Sequence, residues 1–100
     1  MNFNRFDDGD ESILRIEGEL DAVTSPELRP TIEKIVGDRP SRVTVDLSGL
    51  RLIDSSGVGV LVALYKRMRA AGGDMRIVGV SDQPRAIFRL LRLDAVFAPA

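Results

Sequence analysis

Alternation of apolar and polar positions opens the chain. Asn2 to Phe6 places Phe3 on one face, and Ser12 to Glu19 sets Leu14, Ile16 and Gly18 against Ile13, Arg15 and Glu17. A period of two is the signature of a half-buried strand. The intervening Asp7-Asp8-Gly9-Asp10-Glu11 is rich in turn residues, so the two strands are expected to form an antiparallel hairpin. These carboxylates lack a full ligand set at EF-hand spacing, and a solvated turn with no metal is the expected role.

The period then changes. Thr24-Ser25-Pro26-Glu27 offers a helix start, either Thr24 with Glu27 as a capping box or Ser25 as cap with Pro26 at the first helical position. Leu28, Ile32, Ile35 and Val36 follow as one apolar stripe; Gly37 is expected to end the helix and Pro40 to prevent continuation. Pro30, near the first turn, conflicts locally with that helix. Arg42 to Leu47 reads as a strand with Val43, Val45 and Leu47 on one face. A second helix is expected from about Ser56 to Ala71, with Val58, Leu61, Leu64, Tyr65 and Met68 inward and Gly72-Gly73 as its stop. Met75 to Val80, almost continuously apolar, reads as a strand buried on both faces. Ser81-Asp82-Gln83-Pro84 starts a third helix through Leu91, with Ile87, Leu90 and Leu91 as its core stripe, and Val96-Phe97 suits a short last strand. Strands alternating with helices after a hairpin predict an α/β fold. Its sheet should be mixed, largely parallel and four- to five-stranded, with about three helices, in one domain over residues 1–100.

Composition narrows the chemistry. The 100 residues contain no Cys and no His. That removes disulfides, thiolate metal sites, Cys nucleophiles and His-dependent triads, and a chain with no enzymatic activity or cofactor is expected. Fourteen basic against fifteen acidic residues give a formal net charge of -1, which is not the footprint of a nucleic-acid binder. No apolar run approaches the roughly 20 residues that span a membrane, and Met1 to Asp8 has no signal-peptide character; the expected compartment is the cytoplasm.

The distinctive segment is Asp46-Leu47-Ser48-Gly49-Leu50-Arg51-Leu52-Ile53-Asp54-Ser55-Ser56-Gly57-Val58-Gly59, which joins the middle strand to the second helix. In parallel α/β sheets this carboxyl end of a strand is where ligands and partners are met. A serine hydrolase is a poor match, because the nucleophile elbow needs glycine on both sides and Ile53 occupies one of those positions. Gly57-x-Gly59 lacks the rest of a P-loop or dinucleotide fingerprint. A phosphorylation switch fits better: phosphate on Ser55 adds about -1.5 to -2 charges beside the positive end of a helix dipole. The fold should tolerate that charge, while a docked partner would not. Asp54, Ser55 and Ser56 are equally compatible with a plain N-cap, although one such residue suffices for capping.

Gly18-Glu19-Leu20-Asp21, Val43-Thr44-Val45-Asp46-Leu47-Ser48, Ile53-Asp54-Ser55-Ser56-Gly57-Val58-Gly59 and Gly72-Gly73 together resemble the STAS-domain anti-sigma factor antagonists over nearly the whole chain. The resemblance implies a STAS-like fold, a phosphorylated serine at Ser55, and a partner that is both anti-sigma factor and serine kinase, with a histidine-kinase-like ATPase fold. The unphosphorylated form would bind that partner and free the sigma factor, and a metal-dependent serine phosphatase would restore it. The docking surface implied comprises Asp21, Thr24, Ser25, Asp54, Ser55, Ser56 and Gly57, with helix capping as the alternative role of Asp21, Thr24 and Ser25. Ala22-Val23 is an apolar departure from the polar segment of many relatives. Two rival readings remain: a STAS scaffold subunit without a phospho-switch, in a stress-signalling or lipid-transport complex, and a weak nucleotide-binding module. Arg85, Arg89 and Arg92, near i, i+4 and i+7, form one expected exposed face, solvated or offered to an acidic partner.

Overall fold

A computed structural model of the chain describes residues 1–97, arranged around one four-stranded sheet in the order β1-β2-β3-β4. The hairpin is β1 (Asn2–Asp8) and β2 (Glu11–Leu20), paired antiparallel across the two-residue loop Gly9-Asp10. β2 pairs in parallel with β3 (Arg42–Ile53), and β3 in parallel with β4 (Asp74–Val78). The mixed, largely parallel α/β sheet is therefore as the alternation of elements predicts. Leu14 and Ile16 are buried and Arg15 and Glu17 exposed, as the period of two requires.

The first helix departs from its predicted start. Ser25–Leu28 is a 3-10 turn, and α1 proper runs Arg29–Asp38. Neither segment has a side-chain cap, so the Thr24–Glu27 capping box and the Ser25 cap do not form. The 3-10 turn resolves the conflict at Pro30, which falls in the first turn of α1, where its missing N–H is no loss. Gly37 lies inside the helix; termination falls to Arg39, which adopts φ 51 and donates its N–H to the Val36 carbonyl at 3.2 Å.

β3 runs six residues past its predicted end at Leu47. Its buried positions change spacing from Val43, Val45 and Leu47 to Leu50 and Ile53. Two register shifts against β2, at Arg15/Glu17 and Gly18/Glu19, account for this. Each irregularity rotates the following side chains relative to the sheet, so an apolar spacing of three still lies in one strand. Gly18 sits at the second shift with φ 92, a conformation that disfavours a Cβ.

α2 (Ser55–Ala70) buries Val58, Leu61, Leu64 and Met68, as expected, and stops before Gly72. β4 differs from the expectation of a strand buried on both faces. It is an edge strand, and only Met75 within it is buried. Arg76, Ile77 and Val78 are half-buried, with Ile77 packed against the core.

The C-terminal elements correct the sequence reading most. α3 (Asp82–Leu90) buries Pro84 and Phe88, with Ile87 partly buried. Leu90 is 77% exposed and Leu91 51%, so neither belongs to the core stripe. Val96-Phe97 is not a strand; it ends a short helix α4 (Leu93–Phe97), whose Phe97 ring packs 5.6 Å from Tyr65 and 5.8 Å from Phe88. That aromatic cluster decides which face of α3 turns inward. Arg92, at φ 57, lies past the end of α3, so it does not continue the face of Arg85 and Arg89; all three are exposed. No helix among the described residues is long and apolar enough to cross a membrane.

The corrected stripe is measurable by denaturant unfolding. Phe88→Ala should cost about 3–5 kcal/mol, as for other large core truncations, whereas Leu90→Ala should stay within about 0.5 kcal/mol of wild type.

Candidate functional site

β3 delivers the Asp54-Ser55-Ser56 segment to the start of α2, and one carboxylate organises it. Asp54 is the N-cap of α2, in extended conformation at φ -115, and its Oδ1 accepts the Gly57 N–H at 3.1 Å. Its Oδ2 accepts the Ala22 N–H from the β2–α1 loop at 3.2 Å. The Asp54 N–H in turn donates to the Leu20 carbonyl at 3.2 Å. A single residue thus closes the helix and ties it to the end of β2.

Capping is therefore done by Asp54, and Ser55 and Ser56 are the first two helical residues. Both are exposed. The capping explanation accounts for Asp54 but leaves both hydroxyls without a structural task. A charge added at Ser55 would lie on the solvent side of the helix N-terminus, where the unpaired N–H groups and the dipole favour an anion.

Gly57 is required by close approach rather than by flexibility. A Cβ there would fall 2.6 Å from the Leu20 carbonyl oxygen and 2.8 Å from the Ile53 side chain, whereas one at Gly59 would meet nothing within 4 Å. Gly57 lets α2 seat directly on the end of β2, and Gly59 faces open space.

The other predicted docking residues build the neighbouring loop. Asp21 Oδ1 accepts the N–H groups of Val23 and Thr24 at 3.0 and 2.9 Å, and the Thr24 hydroxyl lies 3.1 Å away. Thr24 Oγ1 accepts the Asp21 N–H at 2.9 Å and lies 2.9 Å from the Glu19 carbonyl, to which it can donate. This is an Asx-type turn, so the capping alternative is realised as a loop clasp and not as a helix cap. Its bonds, first from the Thr24 N–H and then from the Thr24 hydroxyl and the Val23 N–H, hold the Asp21 carboxyl below its ordinary 3.8. The clasp pushes the intervening Val23 outward, 83% exposed.

Ser25 sits differently from the rest. It is buried, 6% exposed, and its Oγ has no hydrogen-bond partner among the described residues. It lines a groove of about 420 Å³ between the 3-10 turn, α1 and α2, together with Ala22, Ile32, Ser56, Val60 and Leu64. Arg67 reaches across its rim from α2 to form a bidentate ion pair with Glu33 of α1. Asp21, Thr24, Asp54, Ser55, Ser56 and Gly57 thus converge on one end of the molecule, with Ser25 beneath the surface beside them.

Sequence reasoning missed Gln83. From the start of α3 its Oε1 accepts the Ile53 N–H at 2.9 Å and its Nε2 donates to the Ile53 carbonyl at 2.9 Å. In the sequence Gln83 is one polar residue in a helix-start cluster, and nothing local distinguishes it. In the acidic turn Asp7 accepts from Ser12 and Arg5, and Arg5 also pairs with Asp38. Among the described residues no group of three or more carboxylates is arranged to hold a metal.

Two outcomes test this geometry. Gly57→Ala should destabilise the fold through its clash with Leu20, and Gly59→Ala should stabilise it by about 0.5–1 kcal/mol, the usual gain in a helix interior; paired melting curves decide. Because the folded pKa of Asp21 is lowered, the clasp is intact above 3.8 and is lost as pH falls through that lower value. Carboxyl-carbon NMR should show Asp21 titrating below 3.8, and Thr24→Val should move it upward.

Residues 5–99 match the family model described as STAS domain. A Paenibacillus polymyxa protein named anti-sigma F factor antagonist is 33% identical over 86 residues, spanning 85% of this chain and 71% of that protein. A Listeria monocytogenes protein named anti-sigma-B factor antagonist is 29% identical over 86 residues, spanning 86% of this chain and 73% of that protein. A crystal structure of an anti-sigma factor antagonist from Mycobacterium paratuberculosis superposes with a TM-score of 0.87 at 29% identity, over 97% of this chain and 82% of that one.

Proposed function

This chain belongs to the STAS domain family, and on that premise we propose that it is an anti-sigma factor antagonist switched by phosphorylation of Ser55. The unphosphorylated form binds an anti-sigma factor that is also a serine kinase, and so releases the sigma factor in the cytoplasm. The observation that carries this reading is that Asp54 caps α2 by itself while Ser55 stands exposed at the first helical position. The names of the similar Paenibacillus and Listeria proteins support the partner class.

In the switching step the Ser55 hydroxyl attacks the γ-phosphorus of ATP. An Oγ–P bond forms, the bond to ADP breaks, and the hydroxyl proton passes to a base of the kinase. This chain contributes no catalytic group; it presents the acceptor. A serine phosphatase hydrolyses the same bond to reset the system.

The physical asymmetry of the site explains how one phosphate can end binding without unfolding the protein. On the free chain, the added charge is hydrated and partly compensated by the α2 N-terminus. In a complex it is stripped of water against a surface arranged for a neutral hydroxyl, and an uncompensated buried charge is strongly unfavourable. The Asp54 carboxylate next in sequence adds like-charge repulsion. Asp21, Thr24, Ser56 and Gly57 shape the face around Ser55, and Ser25 supports it from beneath.

Intact mass after incubation with an anti-sigma factor kinase and ATP tests the reading. Wild type and Ser56→Ala should gain one phosphate, and Ser55→Ala none. Phosphorylation should shift the melting temperature by less than about 4 °C, which corresponds to roughly 0.8 kcal/mol in a chain this size. Binding that persists while every variant stays unmodified would make the chain a constitutive antagonist or scaffold.

A further inference from the structure

β3 outruns one of its neighbours. Its pairing with β4 ends at Asp46↔Val78, while pairing with β2 continues to Leu20↔Ile53. On the β4 side, the last turn-ward stretch of β3 therefore has no strand beside it. At Ile53, one residue before the Asp54 cap, the carboxamide of Gln83 fills that place. It accepts from the Ile53 N–H and donates to the Ile53 carbonyl, both at 2.9 Å. A side-chain amide carries the same C=O and N–H pair as a peptide group, so Gln83 acts as a one-residue strand. On the opposite edge the Asp54 N–H bonds Leu20. The exit of β3 is thus held from both sides immediately before Ser55.

Two further features show that this contact is more than the filling of a gap. Asp82, directly before Gln83, adopts φ 53, in the left-handed region where a Cβ is disfavoured. The Ser81 cap of α3 makes no side-chain hydrogen bond that would demand such a turn. The strained start of α3 does, however, bring Gln83 over Ile53. Gln83 also lines a depression of about 230 Å³ with Asp21, Leu52 and Asp54, so its amide adjoins the cap residue directly before Ser55.

We infer that Gln83 is a positioning residue: its carboxamide sets the exit direction of β3 and thereby the orientation in which Ser55 is presented to the kinase. The inference rests on the reading of Ser55 as the acceptor. Its chemistry is specific, because the site needs one acceptor and one donor in a single plane, at the reach of a glutamine. Gln83→Met keeps nearly the same volume and loses both bonds. Gln83→Glu keeps the acceptor for Ile53 N–H and loses the donor.

The experiment uses the full chain with the kinase identified by the Ser55 test. Hydrogen exchange of the Ile53 amide is read against that of Val45, which lies in the same strand. In Gln83→Met, Ile53 exchange should accelerate about tenfold or more with Val45 unchanged, as expected for a local opening. Under single turnover, the saturating phosphorylation rate should fall about tenfold while the dissociation constant for the kinase stays within about twofold, the pattern of a misplaced acceptor. Gln83→Glu should lie between. Equal Ile53 protection in wild type and Gln83→Met, or an unchanged saturating rate, overturns the role of Gln83 alone. A general loss of protection at Val45 as well makes Gln83 a stability residue and also overturns it. Wild type that binds the kinase but accepts no phosphate overturns the Ser55 reading, and the positioning role with it.

Discussion

β3 is hydrogen-bonded along one edge to β2 and along the other, from Arg42 to Asp46, to β4, and Val43, Thr44 and Val45 in that doubly paired stretch are all buried. A strand enclosed in this way has the least freedom of any element, because moving it would break ladders on both sides and open the core. Its carboxyl end, past the last β4 pair at Asp46, stays paired with β2 and is held on the other edge by Gln83, which makes it a fixed point. The α2 helix, the β2–α1 loop and the start of α3 are all referred to it through Ile53 and Asp54. The loop is tied by Ala22 to Asp54, and α3 is tied by Gln83 to Ile53. A rigid strand end surrounded by short polar bonds can present a side chain reproducibly, which a loop of the same length could not.

On this frame, the structural roles fall on Asp54 and Gly57, and the signalling role we propose falls on their neighbour Ser55. Asp54 does the capping with one oxygen and the loop tie with the other. Gly57 admits the Leu20 carbonyl, so the helix start sits tight against the sheet. Ser55 and Ser56 carry neither burden. A covalent change at Ser55 can therefore alter the charge of the surface without disturbing what holds that surface in place. The Asp21–Thr24 clasp applies the same logic to the adjacent loop, satisfying its own backbone groups while turning the apolar Val23 to solvent. The combination of an exposed serine, an exposed apolar residue and a rigid base suits a docking face more than a catalytic cleft.

Periodicity and residue type were enough to determine the hairpin, the α/β order, the apolar face of α2, and the segment in which Ser55 lies, because these depend on local alternation, on helical spacing and on glycine stops. Membership of the STAS domain family was legible for the same reason: Asp54-Ser55-Ser56-Gly57 is contiguous. Tertiary structure decided what depends on distant partners. Register shifts against β2 lengthened β3 beyond its alternating stretch, and the edge position of β4 left half-buried a run that reads as buried. The aromatic contacts of Phe97 with Tyr65 and Phe88 turned α3 so that Phe88, and not Leu90, faces the core. Which of three consecutive polar residues caps α2 followed from the reach of Asp54 to Ala22, 32 residues away in sequence, and the pairing of Gln83 with Ile53 spans 30. A hydrogen bond across such a separation exists only once the chain has folded, so no local pattern encodes it.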